Sequence, residues 1–397
     1  MNRKQTESVN LKAALETHSN QAMLSEFYAM DASDSVLLAE YPSSNSDQTR
    51  FRNTDRYIIH DPFPPPRPEL LKCLGPHHLM FGWGGEIKVT SQQAPPPQLV
   101  DHWCRVLGES ARTTWVDFDD LPTDQKFIVL FPHQTLAPHQ QIDPDTNYFL
   151  HSKQVIERIV CPQAEIYDSP RYPCIAKLSH GYAGLGNYVL NDAQDEQSMR
   201  ELLVERWPTA QLVFNSIIED ICGDYGIQFY LKRDGTPVWL GFTEQKFNDG
   251  RWCGGIYSAN LQDEWIDQFA SIVVPAADYL SSQGYFGVVG IDILKNKNDE
   301  LFLVDVNPRL TGITPFLMAS RIFSSDPGLA EGIYKASCKY PGRLEQLLET
   351  AESVSDAKIV VLSAFDDVSA GQTICHLSVT ADSQQRCNRI FNQLLKL

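Results

Sequence analysis

The chain has 397 residues, 43% of them apolar, with 33 basic and 50 acidic side chains and a formal net charge of −17. That length and apolar content suffice for two or three cored domains and exclude a disordered chain. The charge opposes binding to nucleic acid or anionic lipid, so small molecules are the expected partners, and a polyanionic ligand would need a metal and a few placed cations. Nine scattered cysteines without a CxxC pair, a polar Met1–Asn10 and no run of apolar residues long enough for a membrane lead to the expectation of a cytoplasmic chain with reduced thiols.

Leu11 to Met30 carries a patchy helical pattern, and Asp31 to Asp55, rich in Ser, Asp and Asn, is expected to be irregular, so residues 1–55 read as a peripheral leader. Tyr57-Ile58-Ile59 is the first strand candidate. The prolines that follow (Pro62, Pro64, Pro65, Pro66, Pro68) make either a stiff surface loop or a polyproline ligand. Residues 56–150 then alternate a Gly-rich turn (Gly82, Gly84, Gly85), a helix over Gln98 to Leu107, and short strands at Thr114 to Phe118 and Phe127 to Phe131. Such alternation predicts an α/β domain with a mostly parallel sheet. Its histidines, His77, His78, His102, His133 and His139, have no metal-ligand spacing and are expected at the surface or behind a site.

Ser152 is placed to cap a short helix, Gln154 to Ile159, with Lys153 in its first turn. A cation at that end of a helix is unfavourable unless an anion shares the helix end; a solvated surface lysine is the alternative. Pro173 to Leu178 is a strand, Ser179-His180-Gly181-Tyr182-Ala183-Gly184-Leu185-Gly186 a glycine-rich loop, and Asn187 to Leu190 a second strand. Lys177 lies among apolar strand neighbours, where an ammonium needs a partner. The glycine spacing matches neither a Rossmann turn nor a P-loop, which leaves a hairpin closing over phosphates or a hairpin without a ligand. An amphipathic helix, Ala193 to Trp207, precedes a strand, Gln211 to Ile218, that runs into Glu219-Asp220-Ile221-Cys222-Gly223-Asp224. An extended linker of this kind can offer backbone groups to an adenine edge and an acid to ribose hydroxyls. Tyr225 to Leu231 and Pro237 to Thr243 form a hairpin, and Trp265 to Leu280 is helical.

The stretch after Phe286 carries the most chemistry. Strands Val288 to Leu294 and Leu301 to Val306 flank a polar turn, Lys295 to Asp299. Asp292 lies in the first strand, Asp305 in the second, and Asn307, Pro308 and Arg309 follow. Two carboxylates and an amide at one sheet end suit Mg²⁺, and Arg309 offers a planar fork for phosphate or carboxylate. A mainly apolar helix covers Phe316 to Phe323. Strands at Lys358 to Phe365 and Thr373 to Thr380 and a helix from Gln384 to Leu397 close the chain.

Together these residues resemble the ATP-grasp superfamily of carboxylate–amine and carboxylate–thiol ligases, over about Lys153 to Thr314. The resemblance implies an α/β (α+β) fold with a leader (1–55), an N-terminal α/β domain (56–150), a linker helix and lid (151–222), a catalytic subdomain (223–340) and a closing segment (341–397). It implies ATP and Mg²⁺, or Mn²⁺, as cofactors. Lys153, Lys177 and loop residues Ser179, Gly181, Gly184 and Gly186 map to phosphate binding, Glu219, Asp220, Ile221 and Cys222 to adenine, and Asp224 to ribose. Asp292, Asp305 and Asn307 map to the metal, and Arg309, Lys177 and Asn307 to catalysis. The second metal position is usually Glu in that superfamily, and Asp305 is one methylene shorter. The implied activity is ADP-forming amide-bond formation through an acylphosphate, from a small carboxylate (amino acid or peptide-like) and an amine, with a homodimer as the candidate assembly. A looser likeness is to natural-product peptide ligases of the pheganomycin type. A biotin carboxylase-like enzyme working through carboxyphosphate and a silent nucleotide-binding protein are the alternatives. The acidic and histidine residues that usually follow the arginine in the carboxylases do not occur here.

Overall fold

Two of the three sheets meet over the Asp292–Asp305 hairpin. A computed structural model describes residues 22–395 apart from 45, 47–48, 61–66, 182–185 and 249. Helix α1 (Leu24–Ala32) leads into β1 (Ser35–Leu38), which pairs in parallel with β2 (Val89–Thr90) on one side and β3 (Lys126–Val129) on the other. Parallel neighbours require crossovers, and these are supplied by α2 (Gly75–Met80), entered through a π turn at Leu70–Leu74, and by α3 (Pro97–Leu107).

The sequence expectations need correction in this region. Ser35–Leu38 is the central strand of its sheet although Asp31 to Asp55 reads as irregular. Nor are residues 24–38 peripheral: Leu24, Phe27, Tyr28, Leu37 and Leu38 are almost inaccessible, and Tyr28 packs against Trp83 and Tyr230. Polar flanks hid a short core strand, Ser35 followed by three apolar residues. Thr114 to Phe118 contributes only a bridge from Trp115 to Val89 before Asp117 accepts from the Asp119 amide and turns the chain. Tyr57 has a left-handed φ of 54°, which ends any strand at Tyr57–Ile59. Pro62 to Pro66 and residues 1–21 lie outside the described residues.

Past α4 (Pro144–Leu150) comes an antiparallel sheet of four strands in the order β4-β7-β5-β6: β4 (Ile166–Tyr167), β5 (Cys174–Leu178), β6 (Asn187–Leu190) and β7 (Leu212–Ser216). Helix α5 (Ala193–Arg206) backs it. Because side chains alternate along a strand, Cys174, Ala176 and Leu178 join Leu190, Met199 and Leu203 in one small core, while Ile175 and Lys177 face the opposite way.

The third sheet has eight strands, all antiparallel to their neighbours, in the order β12-β11-β8-β9-β10-β13-β15-β14. Its strands are β8 (Ile221–Leu231), β9 (Pro237–Asn248), β10 (Arg251–Ser258), β11 (Gly287–Asn296), β12 (Leu301–Asn307), β13 (Glu331–Tyr340), β14 (Lys358–Asp367) and β15 (Gln372–Ala381). Between them lie α6 (Ala259–Ser282), α7 (Thr314–Phe323) and α8 (Leu344–Ser353), with α9 (Gln384–Leu395) last. The closing strands thus extend the same sheet. Along β11, Val289, Ile291 and Ile293 pack with Phe269, Ile272 and Val273 of α6, whereas Gly290, Asp292 and Leu294 border a cavity on the other face.

One glycine is indispensable to this sheet. β10 bulges at Cys253, and Gly254, at φ 149°, passes so close to β13 that a Cβ would lie 2.0 Å from the Tyr334 carbonyl oxygen. Gly254→Ala is expected to cost about 2 to 4 kcal/mol, since neither backbone can yield without breaking the ladder. The midpoint of urea unfolding measures it; an unchanged midpoint would contradict the packing.

Candidate active site

β11 and β12 bring the two acids together by register: Asp292 is directly opposite Asp305, and Gly290 opposite Asn307. The Asn307 amide reaches both, with Nδ2 at 3.4 Å from Asp292 Oδ2 and 3.3 Å from Asp305 Oδ2. Below Asp292 the register slips, because Ile293 pairs with Leu303 and leaves Val304 as an extra residue on β12. A bulged residue drops out of the ladder. Lys177 Nζ donates to the carbonyl of Val304 at 3.0 Å, so the ammonium buried in β5 finds its partner across the gap between the sheets.

Lys153 is not a solvated surface lysine. Its ammonium is in direct contact with Asp305 Oδ2, the two side chains being 13% and 20% exposed. The segment Lys153–Arg158 is a 3-10 turn rather than an α-helix, and Ser152 makes no side-chain cap. The unfavourable placement of a cation in that first turn is answered by Asp305. Burial by itself would raise the Asp305 carboxyl, but Lys153 outweighs it, with Lys177 and Arg309 adding, and holds it below the ordinary carboxylate range. Burial lowers Lys177, and Asp305 opposes that.

Gln245, which nothing in the sequence singles out, joins the acids on the other side. Its Nε2 donates to Asp224 at 3.1 Å and to Asp292 at 3.0 Å. Burial pushes Asp224 up to about 6. Burial also raises Asp292, with the charges of Asp305 and Asp224 raising it further. A cation or nucleotide that needs these acids ionised is therefore expected to bind more tightly from about pH 6 to about pH 8 as they lose their protons. Stability runs the other way: a raised carboxyl contributes most below its unfolded value and loses that contribution as pH rises through its folded one. Calorimetric MgATP titrations at the two pH values check this, and equal affinities would contradict it.

Lys153, Lys177, Gly181, Ile221, Asp224, Asp292, Asp305, Asn307 and Arg309 all border one cavity of about 620 Å³ between the four-stranded and eight-stranded sheets. Ser179, Gly186, Glu219, Asp220 and Cys222 do not line it, and Gly184 lies outside the described residues. Ser179 is buried at the base of its loop, its backbone bonded to Gln211 and Lys153. His180 stacks on Tyr148 at 3.9 Å, which anchors that end of the hairpin. Asp220 instead pairs with Lys297 at 3.0 Å on the surface.

At the other end of β12, Arg309 Nε donates to the Tyr41 hydroxyl at 3.0 Å. The partner comes from the segment expected to be a leader. Of His77, His78, His102, His133 and His139, expected at the surface or behind a site, the first four are buried. His102 bonds to Glu352 and Val361 and His133 to Glu40, while His78 borders the cavity. The neighbours that bury them are distant in sequence, so no local pattern marks them.

Among the described residues no cluster of three or more His, Cys, Asp or Glu side chains suits a metal. The donor set here is two carboxylates and an amide, which fits a hard cation that completes its shell with water and phosphate oxygens. No helix of the described residues is long and apolar enough to cross a membrane.

Residues 155–307 match the family described as L-aspartate–L-methionine ligase, ATP grasp. The [butirosin acyl-carrier protein]–L-glutamate ligase of Niallia circulans is 23% identical over 216 residues, 47% of this chain and 49% of that protein, so the chain matches about half the length of that curated relative. Among solved structures, an N5-carboxyaminoimidazole ribonucleotide synthetase in its ADP complex superposes with a TM-score of 0.51 over 80% of this chain and 93% of the other, at 15% identity. The N5-carboxyaminoimidazole synthetase of Staphylococcus aureus gives 0.50 over 83% and 95%, at 11% identity. At such identities the likeness is one of fold.

Proposed function

We propose, from the premise that the chain belongs to the ATP-grasp superfamily, that it is an ATP-dependent, ADP-forming ligase joining a carboxylate to an amine. The observation that carries this reading is one cavity that holds opposed Asp292 and Asp305 together with Lys153 and Lys177, with Arg309 two residues past the end of β12. Phosphoryl transfer needs little covalent help from a protein; it needs reactants in line and charge offset. Lys177 and Lys153 would meet phosphate oxygens, Asp224 the ribose, and Arg309 the carboxylate and the acylphosphate grown from it. Asp292, Asp305 and the Asn307 amide oxygen would hold Mg²⁺ or Mn²⁺, which supplies charge neutralisation at the phosphates when bound.

The atoms balance as follows. A substrate carboxylate oxygen bonds to the γ-phosphorus, the bond to the β-phosphate bridging oxygen breaks, and ADP leaves. An amine nitrogen then attacks the acyl carbon, phosphate departs, and the nitrogen loses a proton. Amino acids are the substrate class that the relatives' names favour, and short peptides extend it as a class with the same carboxylate and amine. A screen of amino-acid and peptide pairs with ATP and Mg²⁺, reading ADP and phosphate, tests the reading. Equimolar ADP and phosphate dependent on both partners support it. Release of AMP and pyrophosphate, or dependence on bicarbonate alone, contradicts it.

A further inference from the structure

Around Gly312, three residues past Arg309, the same cavity is lined by His78, Trp252, Tyr334 and His376. Trp252 is seated on that glycine, since a Cβ there would lie 3.0 Å from Trp252 Cη2 and Cζ3. His78 Nε2 is 2.7 Å from the Gly312 carbonyl oxygen, which can only accept, so this nitrogen carries a proton. The His78 ring stacks on His376 at 4.6 Å and on Tyr334 at 5.6 Å, and Trp252 lies tilted on Tyr334 at 5.6 Å. The Tyr334 hydroxyl is 2.8 Å from His376 Nδ1, which leaves Nε2 as the ring nitrogen available to a ligand. The wall is therefore a continuous set of flat rings contributed by α2, β10, β13 and β15.

Two further features say what such a wall receives. Phe247, cross-strand neighbour of Trp252, borders the same cavity and is 47% exposed, an apolar ring that folding leaves uncovered. The charged residues lining the cavity, Lys153, Lys177, Asp224, Asp292, Asp305 and Arg309, are all outside this ring set. Burial lowers the basicity of His78 and His376, so both imidazoles are neutral near pH 7. An acidic or basic side chain placed against these rings would exchange water for neutral groups, whereas an aromatic ring would find stacking and edge contacts with rings already fixed by their neighbours.

We infer that this ring-lined part of the cavity is the side-chain pocket for an uncharged aromatic ring on the substrate whose carboxylate Arg309 holds, so that the chain selects an aromatic amino acid or peptide residue over an acidic or basic one. The inference rests on the ligase reading for the role of Arg309, and the pocket is tested by binding, without turnover.

The probes are L-phenylalanine, L-leucine, L-aspartate and L-lysine, titrated calorimetrically into the full chain with MgADP present. L-Phenylalanine is expected to bind at least tenfold more tightly than L-aspartate or L-lysine and several-fold more tightly than L-leucine. Trp252→Ala should weaken L-phenylalanine at least tenfold. Phe247→Ala, at a half-exposed position, should weaken it several-fold. Equal or tighter binding of L-aspartate or L-lysine, binding of none of the four, or unchanged L-phenylalanine affinity in Phe247→Ala overturns the pocket. A parallel MgATP titration keeps the two readings apart. Absence of MgATP binding sinks the ligase reading, whereas MgATP binding without aromatic preference sinks the pocket alone.

Discussion

Asp305→Asn is expected to abolish MgATP-dependent phosphate release and also to destabilise the chain, by on the order of 2 kcal/mol. Asp305 is the anion facing Lys153, and the charges of Lys177 and Arg309 act on it too. Neutralising it leaves two ammonium groups in a half-buried cleft without their counter-charge. The contact is partly exposed, so solvent screening brings the cost below that of a fully buried pair. Asp292→Asn provides the contrast. Its carboxyl is raised by burial and by two neighbouring acids, so removing the charge should leave stability near pH 8 unchanged or improved while still removing a metal donor. Thermal melts of both variants near pH 8, with calorimetric MgATP titrations, separate the effects. Near-wild-type phosphate release from Asp305→Asn would falsify the metal assignment, and equal destabilisation by the two substitutions would contradict the electrostatic picture.

Arg309→Lys is expected to keep MgATP affinity within a few-fold while lowering kcat/KM for the carboxylate substrate on the order of a hundredfold, or about 2 to 4 kcal/mol in the transition state. Arg309 lies beyond Asn307 toward Gly312, at the opposite end of β12 from Leu301, so in the proposed arrangement it would be nearer the acyl group than the adenine. A lysine can supply the charge but not the bidentate fork. Tyr41 accepts from Nε at 3.0 Å and so orients the guanidinium. Tyr41→Phe should therefore act in the same direction with a smaller effect, raising KM for the carboxylate without touching that for ATP. Loss of ATP binding in Arg309→Lys, with normal processing of bound substrate, would assign the arginine to the nucleotide instead.

The elements read most accurately from the residues are those whose partners are near in sequence. A hairpin needs only two β-type runs and a polar turn, and its register then follows from the turn; Asp292, Asp305 and Asn307 meet for that reason. Lys177 stood out because a strand with period-two burial gives a charged side chain nowhere neutral to go. By contrast, the Val304 bulge that exposes a carbonyl to Lys177, the Gln245 bridge between Asp224 and Asp292, the Tyr41 contact to Arg309 and the ring wall of His78, Trp252, Tyr334 and His376 have no local signature. They depend on pairings between strands and sheets tens to hundreds of positions apart. The same holds for β1, whose four residues, three of them apolar, became a central strand only because β2 and β3 arrive on both sides of it. Charge and period are written along the chain, so the sequence alone determined which side chains needed partners. Long-range packing decides which groups close a site, so only the tertiary structure decided what those partners are.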